Sequence, residues 1–190
     1  KFKFEVYNKG YWLKKENLTL VKTATSKLSL FLEGKKDLSD VFDLNKWAWF
    51  FAVTDLGYFS HGNFIKSVKL FYNPVSGKFE PIGFDGHRFL PNFNELLIDK
   101  KKDFLQTNFS KASNYEKDRN KLASIEGIFF INKDKKINYE FYEIYIKNIK
   151  KITSKKFLNN FFDKRKKKIK SISSGIYSDS YIFDYNSMRR

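Results

Sequence analysis

The sequence predicts an α+β fold in which a core helix and a β-hairpin are closed by helices at the C-terminal end, and three observations carry that reading. Asp43 is a suitable N-cap for a helix that places Leu44, Trp47, Ala48 and Phe51 on one face and stops with Gly57 as C′. Ser67 to Asn73 alternates Val68, Leu70 and Tyr72 against Ser67, Lys69 and Phe71, and Pro74-Val75-Ser76-Gly77 turns it into Lys78 to Phe84. Further on, Phe141, Tyr145, Ile149 and Ile152 recur at helical spacing, and Ser154 stands where it can cap another helix striped by Leu158, Phe162, Ile169 and Ile172.

The remaining elements follow in chain order. Lys1 to Tyr7 alternates Phe2, Phe4 and Val6 with Lys1, Lys3 and Glu5, the period of a half-buried strand, and Asn8-Lys9-Gly10 reads as its turn. Tyr11 to Leu13 and Leu18 to Val21 are expected to continue a small antiparallel sheet, with Ser26 to Glu33 a short helix stopped at Gly34. Lys100 to Lys121 is polar and reads as a loop or weak helix, and Ile125 to Ile131 as a short apolar element. At 190 residues, 1–190 is read as one domain. It opens on strand-like residues, so sequence upstream of Lys1 is expected, and with it part of any site.

Composition excludes several classes of chemistry. The absence of cysteine removes disulfides, thiolate zinc sites and cysteine nucleophiles. No apolar run reaches the length of a membrane span. The formal charge of +16 raises a polyanion partner, because clustered cations release counterions from a phosphate backbone. Tyr145 to Lys170 holds eleven basic residues against the single acid Asp163. Lysine supplies 32 of the 37 basic residues, whereas phosphate and base-edge readers favour the arginine fork, so a solvated face competes with a binding face for nucleic acid, glycan or an anionic membrane surface.

The residues able to do chemistry crowd one segment: Asp55, His61, Gly62, Asn63, Ser67, Asn73, Glu80, Asp85 and His87. In protein kinases a loop of pattern Asp-x-x-x-x-Asn runs into a hairpin whose far end presents a metal-binding Asp. Here Phe42-Asp43 ahead of Trp47, then Thr54-Asp55-Leu56-Gly57, His61-Gly62, Phe71-Tyr72-Asn73-Pro74, Gly77-Lys78 and Glu80-Pro81-Ile82-Gly83-Phe84-Asp85-Gly86, resemble the spore coat protein H (CotH) kinase-like family. The likeness runs from about Phe42 through Phe157-Leu158-Asn159-Asn160-Phe161-Phe162, and Leu70 to Gly86 is its most specific part. It implies an atypical protein-kinase-like lobe, ATP with Mg²⁺ or Mn²⁺ as cofactors, and phosphorylation of serine on a protein substrate.

Carried over position by position, the resemblance makes Asp85 the metal ligand. It departs from the family at Ser67, where Asn is usual, and at Gly62, where the catalytic Asp would stand. Both losses bear on phosphoryl transfer, and a pseudokinase is the competing outcome. Asp55 and His61 are then the candidate catalytic groups, with Ser67 and Asn63 the candidate cofactor-binding positions. The nucleotide-clamping Lys and its acid would lie upstream of Lys1. Each residue also has a plain reading. Asp85-Gly86 is ordinary turn chemistry, His61 can order a loop, and Asn63 is a polar loop residue. His61 with His87 fits no zinc spacing. Asp55 falls in the last helical turn, where its charge opposes the macrodipole.

Overall fold

A computed structural model describes residues 4–57, 60–63, 67–83 and 125–177. Asp85, His87, the segment 100–121 and the end of the expected second hairpin arm at Phe84 lie outside the described residues.

The N-terminal region is helical where a small sheet was expected. Phe4–Val6 has no regular secondary structure, Lys9–Trp12 is a helical turn (α1), and Leu18–Leu32 is one continuous helix (α2). Among the described residues no strand pairs with Phe4–Val6, and alternation without a partner leaves backbone groups to water. Leu18–Val21 forms the first turn of α2, because Val21, Ala24, Leu28 and Phe31 continue a helical stripe of buried or half-buried positions. Gly34 ends it as expected. With φ of 74° it takes the left-handed cap position, and Lys35 N–H reaches Leu30 O at 2.8 Å while Gly34 N–H reaches Phe31 O at 2.9 Å.

A short helix, Leu38–Val41 (α3), starts from a capping box in which Asp37 and Asp40 satisfy one another's backbone N–H groups. The predicted core helix is present as Leu44–Gly57 (α4). Asp43 caps it: its Oδ1 accepts Lys46 N–H at 3.1 Å and its carbonyl accepts Trp47 N–H at 3.0 Å. Gly57 is the last helical residue rather than the residue beyond the end.

The hairpin also forms, from Lys69–Asn73 (β1) and Lys78–Ile82 (β2), antiparallel, with Tyr72 opposite Phe79 and Phe71 opposite Glu80. Its turn is built by local chemistry. Asn73 Oδ1 accepts Val75 N–H at 2.9 Å, Gly77 N–H reaches Asn73 O at 2.8 Å, and Gly77 sits at φ 64°. Lys27 of α2 donates its ammonium to the Gly77 carbonyl. Pro81 is tolerated in β2 because each strand of a two-stranded ribbon is an edge.

Phe79 joins the hairpin to the helices. Its carbonyl accepts Asp43 N–H and Trp47 Nε1–H, each at 3.0 Å, so both lone pairs are used in a buried place. Around it Phe42, Trp47, Phe51, Phe129, Phe130 and Phe141 are fully buried. Trp47 stacks on Phe129 at 4.6 Å between ring centroids.

Ile125 to Ile131 resolves into the helix Glu126–Phe130 (α5) and a bridge from Ile131 to Ile137. Asn138 then caps the next helix, Tyr139–Ile152 (α6): Oδ1 accepts Phe141 N–H at 3.3 Å and the carbonyl accepts Tyr142 N–H at 2.9 Å. Phe141, Tyr145 and Ile149 are buried along its predicted stripe. Ser154 caps the last helix, Lys155–Tyr177 (α7), through Phe157 N–H at 3.2 Å. The expected stripe on α7 is not uniformly covered: Phe162 and Ile169 are half-buried, whereas Leu158 and Ile172 are exposed. Backbone contacts group the chain into two units that meet between Asn148 and Ile149, within α6.

Candidate functional site

Among the described members of the sequence constellation, Asn73 and Glu80 stand at the N-terminal end of α4 and Asp55 and Asn63 at its C-terminal end. Lys46 and Asp55 are nine residues apart on that helix, roughly 14 Å along its axis at the usual rise per residue.

At the N-terminal end, Glu80 of β2 accepts from Lys46 Nζ at 2.7 Å and from Asn73 Nδ2 at 2.7 Å. The hydrogen bond from Lys46 is the main reason the Glu80 carboxyl titrates below its ordinary range, with Asn73 adding to it. The same bond raises Lys46. This trio locks the hairpin turn to the start of α4, and Asn73 and Glu80 are thereby committed to holding structure.

At the C-terminal end, polar side chains from four elements meet inside otherwise aromatic packing. Asp55 is half-buried, and its Oδ2 accepts the Tyr145 hydroxyl of α6 at 2.6 Å. Burial is the first cause of a strongly raised phenol pKa at Tyr145, and the charge of Asp55 is the second. The tyrosine therefore remains a neutral donor, and the carboxylate that opposes the α4 macrodipole is compensated by it. Glu126 at the start of α5 pushes the phenol in the same direction.

Asn63 ends a 3₁₀ turn at Ser60–Asn63 and is 1 % exposed. Its Nδ2 donates to Glu126 Oε1 at 2.8 Å and to Thr54 Oγ1 at 3.3 Å, and its carbonyl accepts Ile125 N–H at 2.9 Å. Side chain and backbone together tie the turn to the head of α5. Gly62 and Ser67 are buried on either side of it in sequence. The backbone of His61 belongs to the same 3₁₀ turn.

The structure thus brings Asp55 and Asn63 into one neighbourhood through Thr54, which adjoins Asp55 and bonds Asn63. Periodicity and motif spacing do not mark Tyr145, Glu126 or Thr54 as site residues. A polar atom was the available signal in each case: a tyrosine on a buried stripe needs a partner for its hydroxyl. Among the described residues no three His, Asp or Glu side chains converge in a group that could hold a metal ion. Asn63 commits its Nδ2 to Glu126 and Thr54, and without a cluster of carboxylates or imidazoles the described residues do not by themselves fit a divalent ion.

No family model matches the chain, and no curated protein or solved structure is significantly similar to it.

Proposed function

We propose that the chain is the hairpin-bearing lobe of a divergent CotH-like atypical protein kinase, with Asp85 as the residue that would hold a divalent ion and ATP, and a protein serine as substrate. The observation that supports this most is the hairpin. Its register fixes β2 to end at Ile82, three residues before Asp85 in sequence, and Phe79 ties β2 to the helix that carries Asp55. The kinase arrangement requires such a hairpin beside a loop that supplies a proton acceptor.

Within that reading, Asp55 is the better candidate for accepting the proton of the substrate hydroxyl. Tyr145 holds its carboxylate in one orientation, which suits a general base that must be aimed before the substrate arrives. Asn63 uses its Nδ2 to tie the 3₁₀ turn to Glu126 and Thr54, which gives it a supporting role. With Gly62 and Ser67 in place of the family's acid and amide, transfer is expected to be slow relative to binding.

A thermal-shift titration of the full-length protein with ATP tests the reading. Nucleotide at about a hundred times its Kd stabilises by about 2.7 kcal/mol, which is roughly 5–10 °C for a domain of this size. The expected shift needs Mg²⁺ or Mn²⁺ and disappears with EDTA. No shift, or one indifferent to metal, contradicts the proposal.

A further inference from the structure

The helix α7 runs 23 residues from Lys155 to Tyr177, about 34 Å at the usual rise. From Lys155 to Lys170 every lysine and arginine on it is exposed, and Asp163 is the one acid among them. Large apolar side chains are also left in water: Leu158 at 36 %, Phe161 at 38 % and Ile172 at 53 % exposure. At about 100° per residue these three fall within an arc of roughly 60°. Arg165 lies within the same arc and Lys168 about 20° outside its edge, and the Arg165 guanidinium carbon sits 4.0 Å from the centre of the Phe161 ring. Long basic side chains in that position lay their stems along the apolar stripe and carry their charge to its rim.

We infer that α7 is a docking helix for an anionic lipid surface. Charge complementarity asks for a negatively charged partner, and the exposed apolar arc decides which kind. A nucleic-acid backbone would neutralise the lysines but leave Leu158, Phe161 and Ile172 in water. It would also be read here by a single arginine, although the arginine fork is the group that suits phosphates and base edges. A lipid interface satisfies both features, with cations at the headgroups and the apolar side chains a few ångströms below them. No described helix is long and apolar enough to cross a membrane, so the contact is one of a helix lying on the surface. The inference is independent of the kinase reading, since it uses no residue of the Asp55 or Asp85 region.

Sedimentation of the full-length protein with vesicles tests it, using phosphatidylcholine alone, phosphatidylcholine with phosphatidylserine, and duplex DNA as a competitor. Binding is expected only to the phosphatidylserine vesicles. The triple variant Lys166→Gln, Lys167→Gln, Lys168→Gln should lower that partition by roughly tenfold or more, because each removes one cation near the surface. Leu158→Ser with Phe161→Ser should lower it several-fold at constant charge, and Ile172→Gln, placed at the other end of the helix, should do the same if the first pair disturbs the fold by circular dichroism. Failure to bind phosphatidylserine vesicles overturns the inference. So does binding unaffected by both sets of apolar replacements, or duplex DNA displacing the protein from the vesicles, which would make the helix a purely electrostatic nucleic-acid binder.

Discussion

Trp47 meets the structure in two ways, by stacking on Phe129 and by donating its indole N–H to the carbonyl of Phe79. Trp47→Ala should therefore cost about 3–5 kcal/mol in denaturant unfolding, the range for large aromatic deletions in a packed core. Gly77 makes a different kind of contribution. A Cβ there meets only ordinary contacts, Lys27 Nζ at 3.6 Å and Tyr72 Oη at 3.8 Å, so Gly77→Ala should cost only the left-handed conformation, about 1–2 kcal/mol. A titration signature belongs to Tyr145. Its folded pKa is raised, so the stability it contributes is fully present below the unfolded value of about 10 and is lost as pH rises above it. Thermal midpoints should consequently fall more steeply above about pH 10 in the native protein than in Tyr145→Phe. Glu80 works on the acid side. Its depressed pKa gives stability that is present above the unfolded value of about 4.3 and lost as pH falls through the folded one, so Glu80→Gln should flatten the acid limb. At this scale Asp55 was legible, because its charge conflicts with the helix dipole. Its partner was not, since periodicity counts Tyr145 as one more apolar position and says nothing about where its hydroxyl goes.

Elements were readable in proportion to how local their causes are. The β1–β2 turn is specified by Asn73 and Gly77 themselves, and α4 by the cap at Asp43, so both emerged as expected. The N-terminal sheet failed because four residues, Leu18–Val21, are too short a window to separate a strand period from a helix period. The longer stripe from Val21 to Phe31 settles it as helix. On α7 the stripe was readable, but which of its residues would be covered depends on tertiary packing that periodicity does not contain. Its basic face is exposed throughout, so Lys166→Gln, Lys167→Gln and Lys168→Gln together should change unfolding free energy by no more than roughly 0.5 kcal/mol. A much larger loss would mean that the lysines have structural partners.

For the whole molecule, an aromatic core built from Phe42, Trp47, Phe51, Phe129, Phe130 and Phe141 fixes where α4, the hairpin, α5 and the start of α6 stand. The α+β class could be read from sequence, whereas the separation of Asn73 and Glu80 from Asp55 and Asn63 at the two ends of α4 could not. Sequence proximity from Asp55 to Glu80 conceals a helix axis between them. The proposed function rests on Asp85, three residues beyond the end of β2 in sequence. Calorimetric titration of the full-length protein with Mg²⁺ or Mn²⁺ and ATP, set beside the Asp85→Asn variant, addresses it most directly. Binding is expected in the native protein and abolished in the variant, whose thermal unfolding without ligand is nearly unchanged because one ligand charge is lost and the side-chain shape is kept. Undiminished metal–nucleotide affinity in Asp85→Asn, or no affinity in the native protein, would contradict it.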